Sequence, residues 1–200
     1  DKEDAFPVSG SSLSSQLHSV PDCQAIIKKA IVERLKGKYR LSWFPETGPL
    51  HRVRFRILKD KVSLMVDTSG EGLHKRGYRR ESNLAPMKET LAAALCELAR
   101  VRPDGNFIDP FCGSGTLLIE AALLAGNIAP GLRRTFQAES WRDADPQVWR
   151  RERERAKDLE RRDITFTATG YDIDPAAPAL TLENAKKAGV AAQVRAWVRD

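Results

Sequence analysis

Gly113-Ser114-Gly115 stands between Asn106-Phe-Ile-Asp109 and the apolar run Leu117-Leu-Ile-Glu-Ala-Ala-Leu-Leu-Ala125. Read as strand, turn and helix, this is a place where backbone N–H groups can meet a polar or anionic ligand. The missing Cβ atoms permit close approach, and the helix start carries partial positive charge. Three ligand classes compete for such a turn. A phosphate-cradling loop ends in Gly-Lys-Ser/Thr, whereas Gly115 is followed by Thr116 and Leu117. A dinucleotide turn places Gly or Ala three positions after its second glycine and an acidic residue about 20 residues on. Leu118 occupies the first of those positions, and the best acidic candidate, Asp172, lies 57 positions past Gly115. The third ligand, S-adenosylmethionine, has no phosphate. It asks for a close glycine turn beside its methionine part and a carboxylate at the end of the next strand, accepting from both ribose hydroxyls. Asp172, directly after a strand ending in Tyr171, stands in that place if an insertion separates the two strands.

Other reactive side chains point elsewhere. Cys23, Cys96 and Cys112 form neither a disulfide framework nor a Cys-x-x-Cys pair. Cys112 reads as a small core filler rather than a nucleophile. His18, His51 and His74 lack ligand spacing, and no metal is expected. Asp174, in Asp172-Ile-Asp-Pro, reads as a helix N-cap.

The elements that position these residues follow from periodicity. The opening to about Ser19 is polar, Ser-rich and read as irregular. Ile26, Ile27, Ala30, Ile31 and Leu35 recur at helical spacing, predicting a helix over 23–35 closed by Gly37. Residues 52–58 alternate as Arg-Val-Arg-Phe-Arg-Ile-Leu, a half-buried strand with one cationic face. A turn at Lys59-Asp60-Lys61 leads to a partner strand over 62–66. Residues 69–82 form a Gly- and Arg-rich connector, and a helix is predicted over 87–101, opened by Pro86. After the glycine turn come a loop over 127–141, a charged helix over 146–162 read as a solvated face, a strand over 164–171, a helix over 180–188 and a strand from Gln193 to Val198. Alternating strands and helices in this half predict a parallel sheet.

The net charge of +6 is unevenly placed: residues 1–100 hold 18 Lys+Arg against 12 Asp+Glu, and residues 101–200 hold 15 against 15. Between Lys28 and Lys61 there are 11 basic and 3 acidic residues. A basic module joined to a neutral one suits a nucleic-acid partner, although a solvated basic face has the same composition. No apolar run approaches the roughly 20 residues of a membrane span. With a charged N-terminus and unpaired cysteines, the reading is a cytoplasmic protein with no membrane partner.

The string Asp109-Pro-Phe-Cys-Gly-Ser-Gly-Thr116 is similar to the cofactor motif of amino-group methyltransferases. His18-Ser-Val-Pro-Asp-Cys-Gln-Ala-Ile-Ile-Lys-Lys-Ala-Ile-Val, Phe44-Pro-Glu-Thr-Gly-Pro, Asp67-Thr-Ser-Gly-Glu-Gly-Leu-His-Lys-Arg-Gly-Tyr-Arg and Ala85-Pro-Met-Lys-Glu-Thr-Leu-Ala extend the match. So does the stretch from Gly126-Asn-Ile-Ala-Pro-Gly to Trp141. Together they resemble the bacterial THUMP-domain methyltransferases related to the ribosomal RNA guanine-N2 enzymes, some of which are labelled N6-adenine-specific DNA methylases. The resemblance implies an α/β fold: the α+β C-terminal part of a THUMP domain (1–68), a basic connector (69–84), and the first half of a Rossmann-like class I methyltransferase domain (85–200).

The resemblance also assigns roles. Asp109, Phe111, Gly113 and Gly115 would line the methionine side of S-adenosyl-L-methionine, with Met87 and Thr90 closing over its carboxylate. Asp172 would take the ribose hydroxyls, Ile173 would pack on the adenine and Asp200 would accept from the adenine amino group. Lys28, Lys29, Arg52, Arg54, Arg56, Lys75, Arg76, Tyr78, Arg79 and Arg80 are the expected RNA contacts, with cations for the backbone and an aromatic for an unstacked base. The implied activity is methylation of an exocyclic amine, guanine N2 of large-subunit ribosomal RNA. Adenine N6 of DNA and a non-catalytic RNA-binding module are the alternatives. The family's Asn/Asp-Pro-Pro-aromatic motif, which orients the amine and stacks on the flipped base, finds no counterpart, since no Pro-Pro occurs in the 200 residues. The expectation is therefore a central piece of a protein about twice as long, without catalytic residues of its own and with little cofactor affinity in isolation.

Overall fold

A computed structural model describes residues 1–79 and 87–200. The chain divides into two units, one made of residues 1–71 with 136–146, the other of residues 72–135 with 147–200. Arg80 and Pro86 lie outside the described residues.

The first unit is a three-stranded sheet, β1 (Val8–Leu13), β2 (Arg52–Leu58) and β3 (Lys61–Asp67), with helix α1 (Val20–Tyr39) crossing over between β1 and β2. β1 runs parallel to β2 and β3 antiparallel. The first strand corrects the irregular opening read from sequence. Val-Ser-Gly-Ser-Ser-Leu carries little β signal, and its fit is tertiary. A Cβ on Gly10 would sit 2.2 Å from the Phe55 carbonyl oxygen and 2.5 Å from its ring, so the empty side of Gly10 is what lets Phe55 lie flat on β1. α1 also begins earlier and ends later than its periodicity suggests. The Ser19 hydroxyl accepts from Asp22 N at its start, and Arg40 in the left-handed region caps it, so the helix runs through Gly37. Phe55, Ile57 and Cys23 form the small core, with Val8, Val20 and Ile27 against them. Lys59 and Asp60 both have positive φ, as a two-residue hairpin needs, and Asp60 is held there by hydrogen bonds with Gln16 and Ser15. Residues 136–146 return to this unit: the Trp141 ring stacks on His51 at 4.6 Å, its indole N–H donates to Leu50 O, and Arg142 pairs with Glu3.

The second unit holds a parallel sheet in the order β4 (Asn106–Asp109), β5 (Thr167–Asp172), β6 (Val194–Val198). Helix α3 (Thr116–Ala125) connects β4 towards β5, and α5 (Ala177–Ala188) connects β5 to β6. α2 (Glu89–Leu98) packs on α3 through Ala92 and Cys96, both fully buried. Eight of the ten α3 residues are buried, which matches its nearly unbroken apolar sequence. α4 (Pro146–Asp158) buries nothing and carries Arg150–Glu154 and Arg155–Glu152 pairs along its surface, as a solvated face should. Met87 precedes α2 rather than lying in it: Lys88, in extended conformation, is the cap, and the helix starts at Glu89. α5 starts at Ala177 with Ala176 as its cap, so Asp174 is not the N-cap; its carboxylate instead accepts from Ala176 N in the turn before the helix.

Candidate cofactor cradle

β4 and β5 end side by side, and the turns that follow them are tied together. Cys112 N donates to Tyr171 O at 2.9 Å, and Gly113 N donates to Asp172 Oδ2 at 2.8 Å. Asp172 Oδ1 accepts from Asp174 N at 3.0 Å. One carboxylate therefore fixes the glycine turn with one oxygen and its own loop with the other. Gly113 and Gly115 both have positive φ, which accounts for glycine at both places. At Gly115 space is lacking too, because a Cβ would meet Thr181 at 2.6 Å. Thr181 and Asn184 of α5 clamp the turn from below through Gly113 O and Ser114 O.

Asp109 is buried at the end of β4 and accepts from Phe111 N at 3.0 Å. Burial raises its carboxyl above the usual range, only partly offset by that hydrogen bond, and the neighbouring Asp172 charge adds to the rise. Burial also pushes the Cys112 thiol up, with the two carboxylates adding to the effect, as suits a cysteine packed in the core. Phe111, two residues past the end of β4, and Ile173, one past the end of β5, are 86% and 71% exposed. Two buried or bonded carboxylates, a glycine turn and two unpartnered apolar side chains thus gather at the carboxyl ends of parallel strands. That is where α/β sheets bind ligands, and accepting carboxylates beside a glycine turn and exposed apolar side chains fit a nucleoside with an amino-acid tail. Asp200 lies two residues past β6, and Thr90 is exposed on the first turn of α2.

The expected RNA residues separate. Arg52, Arg54 and Arg56 share one face of β2, beside Ser9 and Ser11 of β1 and Ser63 and Met65 of β3. Arg54 pairs with Asp67 at 3.1 Å. α1 packs on the opposite face, against Phe55 and Ile57, so Lys28 and Lys29 do not join the arginine surface. Lys28 is further committed inside the unit, to Phe6 O, to Glu46 and to the Phe6 ring. Lys75 and Lys29 are exposed.

The connector departs most from expectation. Tyr78 and Arg76 are 2% and 9% exposed, and Arg79 is nearly as enclosed. The Tyr78 hydroxyl donates to Glu120 Oε1 at 2.9 Å, and Arg76 pairs with Glu120 Oε2 at 3.3 Å. These three side chains thread onto α3 instead of facing RNA, because Glu120 is a carboxylate in an otherwise apolar helix and must be met inside. A lone glutamate in Leu-Leu-Ile-Glu-Ala-Ala-Leu-Leu is the signal that marks this network in the sequence.

Burial pushes the Glu120 carboxyl up to about 7, against the opposing pull of Arg76 and Tyr78. The sign follows from linkage: between its ordinary value and about 7 the folded chain holds a proton that the unfolded chain has released. Stability therefore falls as pH rises through that window. Glu120→Gln should remove this fall, worth on the order of 3 kcal/mol. Urea unfolding of both forms at pH 5 and pH 8 checks it, and equal pH dependence in the two would refute it.

A three-stranded parallel piece with a glycine turn and a terminal carboxylate on the adjacent strand is the cofactor half of a class I methyltransferase fold. The chain belongs to the RMKL-like methyltransferase domain family, which matches residues 76–200, and residues 1–67 match the THUMP domain. It is 48% identical to "Putative RNA methyltransferase YpsC" of Bacillus subtilis (strain 168), over 92% of this chain and 49% of that protein. It is 46% identical to the ribosomal RNA large subunit methyltransferase K/L of Vibrio parahaemolyticus, over 70% of this chain and 20% of that protein. A solved structure described as "a predicted N6-adenine-specific DNA methylase from Listeria monocytogenes str. 4b F2365" superposes with TM-score 0.94 at 48% identity, covering all of this chain and 53% of that one. The structure of SMU.472 complexed with SAH superposes with TM-score 0.90 at 40% identity, covering 98% of this chain and 52% of that one. The chain spans about half the length of the first curated relative. Among the described residues no helix is long and apolar enough to cross a membrane, and no cluster of His, Cys, Asp and Glu could hold a metal ion.

Proposed function

We propose that the protein carrying this chain is an S-adenosylmethionine-dependent RNA methyltransferase of the cytoplasm that acts on an exocyclic amine, guanine N2 of large-subunit ribosomal RNA. The observation that carries the reading is the Asp172 carboxylate bonded to the Gly113 amide at the carboxyl ends of β4 and β5. S-adenosylmethionine supplies an electrophilic methyl group on a sulfonium. Asp172 would accept from the ribose hydroxyls, and Ile173 would lie against the adenine, whose amino group would donate to Asp200. Asp109, Phe111, Gly113 and Gly115 would hold the methionine side, with Met87 and Thr90 over its carboxylate. Arg52, Arg54 and Arg56 would meet RNA phosphates from the serine-lined face of the first unit, while Lys29 and Lys75 offer separate cations. The relatives named for RNA methylation support RNA over DNA, and the THUMP match supports it again.

Methyl transfer from labelled S-adenosylmethionine, by the protein as its gene encodes it, separates the readings. Incorporation into unmodified large-subunit ribosomal RNA at guanine N2 is expected, with none into duplex DNA. Incorporation into DNA adenine alone would establish the rival chemistry, and RNA binding without any transfer would reduce the protein to a binding module.

A further inference from the structure

Arg79 is not used by the reading above, and both terminal nitrogens of its guanidinium are engaged. Its Nη1 donates to the Met87 carbonyl at 3.0 Å and to the Thr116 hydroxyl at 3.1 Å. Its Nη2 pairs with Glu89 at 3.0 Å, and both partners of that pair are enclosed. Thr116 is the first residue of α3 and directly follows Gly115; Glu89 is the first residue of α2. A single guanidinium therefore spans the starts of two helices, and it brings the Met87 carbonyl within two hydrogen-bond lengths of the first residue after the glycine turn. A planar fork with donors in two directions can do this, whereas a lysine ammonium reaches fewer of these partners at once.

The neighbouring connector contact provides an internal comparison. Arg76 and Tyr78 grip Glu120, one turn further along α3 and away from the glycine turn. Both contacts tie the connector to the same helix, but the Arg79 contact alone includes the residue that follows Gly115.

We propose that Arg79 is a positioning residue for the cofactor's amino-acid end: through Thr116 and the Met87 carbonyl it sets how the start of α2 stands beside the glycine turn. The inference rests on the S-adenosylmethionine reading and sharpens it to one part of that molecule. The nucleoside end, held from β5 and beyond, does not depend on Arg79.

Two ligands test it on the protein as its gene encodes it: S-adenosylhomocysteine, and 5′-methylthioadenosine, which keeps the nucleoside and sulfur but lacks the amino-acid part. Isothermal titration of Arg79→Gln should show about a 10-fold or greater loss for S-adenosylhomocysteine, of the size of one charge-assisted hydrogen bond. 5′-Methylthioadenosine should bind within about 2-fold of wild type, and Arg79→Lys should recover part of the lost affinity. Arg76→Gln should lower the melting temperature without this ligand-selective loss. If Arg79→Gln does not fold, Thr116→Val removes the same link with little change in shape and should show the same selectivity at smaller size. Equal losses for both ligands, or none, would overturn the assignment while leaving the cofactor reading intact. A wild-type protein that binds neither ligand would overturn both.

Discussion

Asp172→Ala should weaken S-adenosylhomocysteine binding by about 100-fold in the protein as its gene encodes it. The carboxylate already serves two amides, Gly113 N at 2.8 Å and Asp174 N at 3.0 Å. Each hydrogen bond to a charged acceptor contributes about 1.5–3 kcal/mol. Removing the side chain takes away the proposed ribose acceptor and also releases the glycine turn from the end of β5, so the expected loss combines a missing contact with a loosened cradle. About 3 kcal/mol corresponds to roughly 100-fold in affinity. Asp172→Asn keeps one oxygen that can still accept from Gly113 N and should lose only about 10-fold. Titration calorimetry reads both values, and unchanged affinity in the alanine variant would remove Asp172 from the site.

The second large effect is on the fold beneath that cradle. Gly170 lies in the middle of β5, paired with Asp109 on one side and Ala196 on the other. A Cβ there would stand 2.5 Å from Leu118 Cδ1 and 2.8 Å from Cys112 Cβ. Leu118 is fully buried, so its methyl can yield only by repacking the core, and the Cys112 Cβ is fixed to the turn backbone and can yield only if the turn moves. Overpacking of this kind costs about 1–3 kcal/mol per inserted group. Gly170→Ala should therefore destabilise by about 2 kcal/mol and Gly170→Val by more, despite valine's preference for strands. Urea unfolding with an unchanged slope and a lower midpoint is the expected record. Wild-type stability in the valine variant would show that α3 is free to shift.

These two residues show how differently parts of the site could be read. The place of Asp172 at the end of a parallel strand was legible, because an acidic residue follows the run ending in Tyr171. Gly170, two residues earlier, looked like an ordinary strand glycine; what forbids a side chain there is Leu118, 52 positions away in the chain. The arginines of β2 were legible as one cationic face because side chains alternate along any strand. Which lysines share that surface was not, since α1 covers the other face. Arg76, Tyr78 and Arg79 misled for a related reason: cations and an aromatic at a glycine-rich stretch have the composition of an RNA contact, and only their burial against Glu120 and Glu89 distinguishes it.

What this sequence determined by itself is whatever depends on neighbours along the chain. That comprises the glycine turn between strand and helix, the alternation of β2, the apolar α3, the solvated α4 and the family motif around Asp109–Thr116. The tertiary structure decided the rest: that Val8–Leu13 is a strand, that residues 136–146 belong with the first unit, that the connector is buried, and that Arg79 joins the starts of α2 and α3. Each of those depends on a partner distant in sequence, Phe55 for Gly10, His51 for Trp141, Glu120 for Tyr78 and Thr116 for Arg79. The physical reason is common to all four: hydrogen bonding, charge and packing act over a few ångströms of space, and local periodicity does not record which distant residue will fill that space.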